Sequence, residues 1–170
     1  MALTELWFWL AAAGMTLGTL PPAWRLATER RNRGYYAVLA AITAIAALAY
    51  AAMGLDIGRV GTGDATVYLP RYIDWLLTTP LLVLYLCLLC RPGQRVYAAL
   101  LGADVVIIAG GIVGALTTGA ARWVAFAIGV VAYLALLYQL LVVLPRQATL
   151  AGERVAAVFT KLRNLTVVLW

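Results

Sequence analysis

Three ionisable residues lie within or at the edge of long apolar segments of this sequence. Arg71 and Asp74 stand three positions apart, and Asp104 is surrounded by valine, isoleucine, alanine and glycine residues. A charge inside a long apolar segment costs free energy, so such residues usually mark an ion, proton or ligand site. We therefore take these three side chains as the first candidates for chemistry.

Arg71 and Asp74 share a predicted helical face with two further side chains. Trp75 and Thr78 follow Arg71 at spacings of four and seven, which place them on one stripe of an α-helix. A base, an acid, an aromatic ring and a hydroxyl group would thus face one interior site. The alternative interpretation is an intramembrane ion pair that only fixes helix packing.

The composition indicates that lipid surrounds most of the chain. Of the 170 residues, 65% are hydrophobic and 12% are charged, and the mean hydropathy is +0.93. Five apolar segments approach the roughly 20 residues that a membrane-spanning helix requires. These segments lie near Leu6–Leu20, Tyr36–Leu55, Trp75–Cys90, Val96–Thr117 and Trp123–Leu144. We therefore expect an all-α, multi-pass protein of the cell membrane.

The positions of the basic residues predict the orientation of the chain. The net charge of +6 suggests nucleic-acid binding, but the basic residues concentrate in the connections that follow the first, third and fifth segments. Basic connections mark the cytoplasmic side, so the N-terminus is predicted to be extracellular, with a lipid bilayer and no nucleic acid as partner. The residues concerned are Arg25, Arg30, Arg31, Arg33, Arg91, Arg95, Arg146, Arg154, Lys161 and Arg163.

A sixth helical segment is predicted to begin near Glu153, after a connection over Pro145–Gly152. Only Leu165–Trp170 is uninterrupted apolar sequence at the end of the chain, and this length cannot cross a membrane. A terminus at membrane depth would leave carbonyl groups without hydrogen bonds. We therefore expect the natural protein to continue beyond Trp170, so that residues 1–170 form a single transmembrane domain that is incomplete at its C-terminus.

The segment Arg71–Leu81, RYIDWLLTTPL, resembles the third-helix signature of the microbial rhodopsins, which bind retinal through a lysine Schiff base. Other segments match in order, namely Gly102–Asp104 with Gly111, Arg122–Trp123 and Leu162–Trp170. The resemblance covers essentially the whole chain. It implies a seven-helix bundle, of which five complete helices and part of the sixth are present, with all-trans retinal as the cofactor. It also implies a protein that is not an enzyme.

The resemblance implies a role for each matching position. Asp74 would be the counterion and proton acceptor of the protonated Schiff base, with Arg71 and Tyr50 in the counterion complex. Asp104 would be an uncharged structural acid that bonds Thr79 between the third and fourth helices. The positions that match the retinal pocket are Trp75, Thr78, Thr79, Leu82, Ile107, Gly111, Phe126, Gly129, Tyr133 and Trp170. Taken singly, each aromatic residue among them is better explained by core packing or by a position at the membrane interface than by contact with a cofactor. Only the matched set as a whole favours the retinal pocket.

The attachment lysine of this family lies on the seventh helix and is not in this chain. Lys161 is the only lysine present, and it stands at the cytoplasmic entrance of the sixth segment beside Arg163. Lys161 is therefore not expected to bind retinal. The 170 residues by themselves are not expected to form the pigment.

Position 85 distinguishes two functions within the family. Proton pumps of this group carry a carboxylate eleven positions after the acceptor, where this chain has Tyr85, and a phenol with an ordinary pKa of about 10 is a poor internal proton donor. Sensory members carry an aromatic residue there. Tyr85, Gly129 and the segment Arg163–Trp170 thus favour a phototaxis sensor similar to sensory rhodopsin II, with a two-helix methyl-accepting transducer as partner. The alternatives are a light-driven outward proton pump of the bacteriorhodopsin type and, from composition alone, a transporter without photochemistry.

Three other patterns are given structural interpretations. Cys87 and Cys90 form a C-x-x-C spacing inside an apolar segment of a chain without histidine, so we expect buried packing and no metal site. Gly110 and Gly114 have the spacing that permits close helix approach. The glycine-containing connection 58–63 lacks the ending of a phosphate-binding loop and is expected to be a turn.

Overall fold

The computed structural model describes residues 3–62 and 65–169, so Trp170, a predicted pocket residue, lies outside the described residues. A β-hairpin follows the second helix, and a π-helical segment, Gln139–Val143, lies between the fifth and sixth helices. The elements are α1 Leu3–Thr28, α2 Arg33–Gly54, β1 Arg59–Thr62, β2 Ala65–Tyr68, α3 Leu69–Cys90, α4 Gln94–Leu116, α5 Gly119–Tyr138, α6 Leu144–Leu150 and α7 Glu153–Leu169.

Four stretches of helix in the described residues are long and apolar enough to cross a membrane. They are Arg33–Gly54, Leu69–Cys90, Gln94–Leu116 and Gly119–Leu150. The first helix, α1, is also long, with 26 residues, but Glu5 and its threonine residues make it less apolar. The prediction of a helical, multi-pass membrane protein is confirmed.

By their internal contacts the described residues form two compact units. The first contains the residues up to Leu82 together with Ala115–Thr118, and the second contains Val83–Gly114 and the residues from Gly119 onward. The boundary falls within α3, so the first half of this helix belongs to one unit and the second half to the other.

The first unit is built on the pairing of α1 with α2. The Thr19 hydroxyl donates a hydrogen bond to Oγ1 of Thr43 at 2.9 Å. Trp9 lies so close to Gly54 that a Cβ atom there would approach the indole Cε2 to 2.9 Å. A side chain at position 54 would therefore displace the Trp9 ring.

A β-hairpin follows α2, where the sequence was expected to form only a turn. β1 pairs with β2 in antiparallel register, with Arg59 opposite Tyr68 and Val60 opposite Val67. Each strand has only four residues, which is too short for an alternating pattern to stand out in the sequence. The turn prediction is therefore wrong for these residues. Gly58 has φ +73°, and a Cβ atom there would lie 2.8 Å from Cδ of Pro70, so glycine is needed for both conformation and space.

The second unit contains an apolar core at the end of the helices that the arginine distribution assigns to the cytoplasm. Cys87 and Cys90 are both buried in it, as the packing interpretation requires. Side chains from α3, from α4, from the continuous helix formed by α5, the π-helical segment and α6, and from α7 meet there. The buried members are Val83, Leu86, Cys87, Cys90, Leu100, Leu136, Leu140, Leu144, Ala148 and Phe159.

The helix that contains α5 and α6 extends further than the sequence predicted. It continues through Pro145 to Leu150, so the prediction of a connection over Pro145–Gly152 is wrong for most of that range. A proline removes one backbone donor from a helix, but it is tolerated near the start of a helical segment. Here the π-helical segment precedes it, and the Leu144 amide donates to the Gln139 carbonyl five residues back. Gly152, with φ +119°, lies directly before α7, which begins at Glu153 as predicted.

Candidate functional site

Asp74 is the buried acid in the first half of α3. Only 5% of its surface is exposed, and its Oδ1 atom accepts no hydrogen bond from the residues that the structure describes. A buried carboxylate oxygen without a partner is costly, and a cation or a hydrogen-bond donor removes that cost. Asp74 therefore offers a binding point for a buried cationic or donor group.

Arg71 precedes Asp74 by one helical turn and is partly buried. The two side chains form no ion pair with each other in the described part of the chain, although ion pairs join Arg25 to Glu29 and Arg59 to Asp56 there. The interpretation of Arg71 and Asp74 as a packing ion pair is therefore not supported. Oδ1 of the Asp74 carboxylate is left for another partner.

Two threonine hydroxyls lie one turn beyond Asp74 and are both buried. The Thr78 hydroxyl donates to the Asp74 carbonyl oxygen at 2.8 Å, and the Thr79 hydroxyl donates to the Trp75 carbonyl oxygen at 2.7 Å. Such bonds to the preceding turn keep a threonine side chain in a defined orientation. Thr78 is thus held beside Asp74, whereas the bond from Thr79 to Asp104 stays a prediction.

Two aromatic residues of the predicted site also belong to the first unit. Trp75 is 42% exposed, and its ring meets Tyr72 edge-on with ring centroids 5.8 Å apart. Tyr50 is partly buried on α2, with its ring centroid 6.5 Å from that of Phe8. Phe8, which sequence reasoning missed, is buried and also packs edge-on against Tyr68 of the hairpin at 5.1 Å. Phe8 therefore connects the helix that carries Tyr50 to the hairpin.

Within the second unit, the predicted pocket residues of α4 and α5 recur at spacings of three, four and seven, so each set lies on one face of its helix. Gly129 is buried, and a Cβ atom there would lie 3.6 Å from the Ile107 carbonyl oxygen. At Gly110 a Cβ atom would lie 2.9 Å from the Ala125 carbonyl oxygen. The two backbones therefore approach closely, as the glycine spacing predicted.

The remaining predicted residues of the second unit differ in burial. Asp104 is fully buried in α4, whereas Tyr85 and Tyr133 are partly buried. Gly111 is exposed, and Phe126 is 59% exposed with its ring edge-on to Trp123 at 6.4 Å. Asp104 is thus a core residue of its helix, while Phe126 presents apolar surface. Leu82, which ends the main segment of the first unit, is half-buried.

Arg122 has a structural role that sequence reasoning did not assign. Its Nε donates to the Gly114 carbonyl oxygen near the end of α4 at 3.1 Å. A basic side chain near the last carbonyl groups of a helix is the sequence signal for such a contact.

Lys161 is exposed on α7. Within the described ranges, no group of three or more histidine, cysteine, aspartate or glutamate residues is arranged to hold a metal ion.

Comparison with known proteins places these features in a family. The sequence profile described as bacteriorhodopsin-like protein matches residues 2–170. Sensory rhodopsin-2 of Halobacterium salinarum is 57% identical over 146 residues, which are 86% of this chain and 61% of the relative. Sensory rhodopsin-2 of Natronomonas pharaonis is 41% identical over 165 residues, covering 96% of this chain and 69% of the relative.

The chain also has the fold of a solved rhodopsin structure. The crystal structure of the light-driven proton pump of Coccomyxa subellipsoidea superimposes with a TM-score of 0.94 at 30% identity, covering 100% of this chain and 78% of that one. In the sequence comparison, the present chain spans 61% of the length of the Halobacterium relative. It belongs to the bacteriorhodopsin-like family, the microbial rhodopsins, and is a multi-pass membrane protein with their helical fold.

Proposed function

We propose that the whole protein is a retinal-binding, light-sensing photoreceptor of the sensory rhodopsin II type and not an enzyme, with residues 1–170 in a single transmembrane domain. The observation that carries this proposal is the buried Oδ1 of Asp74, which has no hydrogen-bond partner in the described residues. When bound, all-trans retinal supplies light absorption and a protonated imine. The Asp74 carboxylate is suited to stabilise that positive charge and to accept its proton.

Asp74 acts in this proposal with its neighbours on α3 and α2. Arg71 and Tyr50 complete the counterion complex, and Thr78 lines the site one turn further along α3. Trp75 offers a partly exposed ring for contact with the polyene. Asp104 has a structural role in α4, supported by its full burial. The other pocket residues are Thr79, Leu82, Ile107, Gly111, Phe126, Gly129, Tyr133 and Trp170.

Tyr85 supports a sensor rather than a pump. The second half of α3, residues 83–90, contains no acidic residue, and Tyr85 stands where pumps of the family carry their proton-donating carboxylate. A cycle without that donor waits for protons from the solvent and is therefore slow. A slow cycle gives a two-helix methyl-accepting transducer time to respond, and the 57% identity to a protein named sensory rhodopsin-2 supports this assignment.

A light-driven outward proton pump is the second candidate. Its support is the acid at position 74 together with the fold shared with the Coccomyxa proton pump. Net transport separates the two candidates. Sealed vesicles containing the transducer-free pigment should show no sustained light-driven pH change if the protein is a sensor, and a sustained change would favour the pump.

The Asp74 assignment is tested by replacing the acid with its neutral amide. In a chain that contains these 170 residues and the attachment lysine, Asp74→Asn should move the visible absorption band to longer wavelength and make the imine easier to deprotonate. The reason is that the anion which stabilises the cation is lost. Absorption spectra recorded across a pH titration measure both effects.

The matched control is Asp56→Asn, which removes an exposed acid that is paired with Arg59 outside the helices. This variant should keep the spectrum and the titration of the parent protein. If Asp74→Asn also leaves both unchanged, Asp74 is not the counterion. If the parent protein forms no visible band with all-trans retinal, the photoreceptor proposal fails as a whole.

A further inference from the structure

The connection between α1 and α2 carries four arginine residues around one acid. Arg25 lies in the last turn of α1, Arg30 and Arg31 lie in the connection, and Arg33 begins α2. All four are exposed. The acid among them is Glu29. The balance of charge in this turn is therefore strongly positive.

The single acid is already engaged within the turn. Glu29 Oε2 lies 3.6 Å from the Arg25 guanidinium and accepts a hydrogen bond from the Tyr36 hydroxyl at 2.9 Å. Its Oε1 accepts a bond from the Asn32 side-chain amide at 2.6 Å. Both carboxylate oxygens therefore have partners, and Glu29 is not left to neutralise the remaining arginines.

Arg30 and Arg31 are the two arginines of this turn whose guanidinium groups have no partner among the described residues. Arg33 bends back so that its Nε donates to the Leu26 carbonyl oxygen at 3.3 Å. The side chains of Arg30 and Arg31 form no ion pair or hydrogen bond with the residues that the structure describes, whereas Arg25 pairs with Glu29. Both residues precede the N-terminus of α2. The positive end of a helix dipole disfavours cations. An anion beside Arg30 and Arg31 would therefore reduce the repulsion between the two guanidinium groups and their repulsion by the N-terminus of α2.

Trp24 places this turn at the level of the lipid headgroups. It directly precedes Arg25 and is 71% exposed, and Trp7, 62% exposed, lies near the opposite end of α1. The rise of a helix puts these two residues about 26 Å apart, and tryptophan prefers the two membrane interfaces. This separation is close to the roughly 30 Å of a hydrocarbon core. The residues that follow Trp24 therefore lie in the layer of lipid phosphates.

We propose that the turn Arg25–Arg33 is a binding site for the headgroup phosphate of an anionic phospholipid, held by Arg30 and Arg31. Guanidinium groups bind phosphate oxygens through paired hydrogen bonds. The interfacial position of Trp24 selects a lipid over a phosphate ion in solution, because the acyl chains of a lipid would lie along the exposed apolar face of α1. The site is independent of retinal and of the sensor assignment.

The test measures lipid retention by native mass spectrometry. The full-length protein in an uncharged detergent is titrated separately with dioleoylphosphatidylglycerol and with dioleoylphosphatidylcholine. The parent protein should retain the glycerol lipid more tightly. The double variant R30Q/R31Q should weaken its retention about 25-fold, since each arginine near a lipid surface contributes about fivefold in affinity.

Two variants serve as controls. R91Q/R95Q removes the same charge from the connection between α3 and α4 and from the first turn of α4, where both arginines are also exposed. It should change retention less than about twofold. R30K/R31K keeps the charge but not the planar guanidinium groups, and its retention should fall between the parent and R30Q/R31Q. Circular dichroism should show the parental helix content in all three, because these side chains are exposed.

Three results would overturn the proposal. Equal losses in R30Q/R31Q and R91Q/R95Q would show that only overall charge matters. Equal retention of the choline and glycerol lipids by the parent protein would show that the headgroup is not recognised. Displacement of the glycerol lipid by an excess of inorganic phosphate in the parent but not in R30Q/R31Q would show that the site prefers a free anion.

Discussion

The two halves of α3 differ in what they bury. From Leu69 to Leu82 the helix buries polar side chains, and from Val83 to Cys90 it buries only apolar and thiol side chains that belong to the core of the second unit. The buried polar residues are Asp74, Thr78 and Thr79, and the others are Val83, Leu86, Cys87 and Cys90. One helix thus carries the group that can accept a proton and, further along, a stretch that depends on close packing.

This difference indicates that the two halves should respond to mutation in different ways. Replacements in the apolar half should cost stability, because buried apolar groups are held by packing on all sides. Replacements in the polar half should change the chemistry of the site while costing less stability. Tyr85 is the exception, since it lies in the apolar half but affects proton supply under the proposed function.

The largest effect is expected for Leu86→Ala in the apolar half. Leu86 is fully buried, and its truncation leaves a cavity that costs about 3 kcal/mol of unfolding free energy. Unfolding in mixed micelles of increasing sodium dodecyl sulfate, followed by circular dichroism, measures this change. Leu77→Ala on the same helix is the control, because Leu77 is 48% exposed and should cost less than about 1 kcal/mol. Equal losses for both would contradict the packing difference between the halves.

The next largest effect concerns Tyr85→Asp. Without an internal donor, recovery of the pigment should slow by about tenfold for each rise of one pH unit, and azide should accelerate it, because protons arrive from solution. Tyr85→Asp should remove most of this dependence, a change of about a hundredfold over two pH units, because a buried carboxyl group can hold and return a proton. Flash photolysis of the transducer-free pigment measures the rates.

Tyr85→Phe separates proton donation from packing in the same experiment. It keeps the ring but carries no acid, so its recovery should depend on pH and azide as in the parent protein. Rapid recovery of the parent that is independent of pH and azide would identify another donor. The pump interpretation would then replace the sensor interpretation.

A smaller effect is expected where α4 meets α5. Gly110→Ala places a methyl group 2.9 Å from the Ala125 carbonyl oxygen, so the helices must separate, at a cost of about 1 to 2 kcal/mol. Gly111→Ala is the neighbouring control, because a Cβ atom there meets nothing within 4 Å. It should leave stability unchanged or slightly increased, since alanine favours helix. A destabilisation by Gly111→Ala equal to that of Gly110→Ala would show that helix approach is not the cause.

The smallest effect is expected for Thr78→Val in the polar half. The variant loses a hydroxyl bond to the Asp74 carbonyl oxygen, at a cost of about 0.5 to 1 kcal/mol in the same unfolding assay. Thr28→Val is the control, because Thr28 makes the same kind of bond to the Trp24 carbonyl oxygen on an exposed surface. The control should change stability by less than about 0.5 kcal/mol. A loss at Thr78 as large as that of Leu86→Ala would show that its hydroxyl has a further essential partner.

Hydropathy and charge were sufficient to predict the helical membrane architecture. Long apolar segments have few alternatives to a helix in lipid, because the backbone must satisfy its own hydrogen bonds there. The start of α7 at Glu153 was also predicted correctly, and Gly152 at its N-terminal side is the local reason. The family was recognisable from the length of the Arg71–Leu81 motif.

Features that depend on local geometry were not predictable in the same way. The hairpin strands have only four residues each, so their side chains carry too little periodicity to outweigh the glycines. Spacing placed Arg71 and Asp74 on one face but did not determine whether their flexible side chains meet, and they form no ion pair in the described part of the chain. Proline at position 145 suggested that the helix ends there, because a proline removes one backbone hydrogen-bond donor. Whether the helix continues depends on the hydrogen bonds of the preceding turn, which the sequence does not show.

The π-helical segment Gln139–Val143 makes the helix of α5 and α6 sensitive to its residue count. Leu136, Leu140, Leu144 and Ala148 are all fully buried, although steps of four residues advance by about 40° beyond a full turn in a regular α-helix. The wider turn compensates for part of this drift and keeps the four side chains on one face. Loss of one residue from the segment would rotate everything beyond it by about 100° and direct Ala148 away from the core. The segment thus sets the angular position of the α6 side chains relative to those of α5. Its length is therefore constrained more tightly than the identity of its residues.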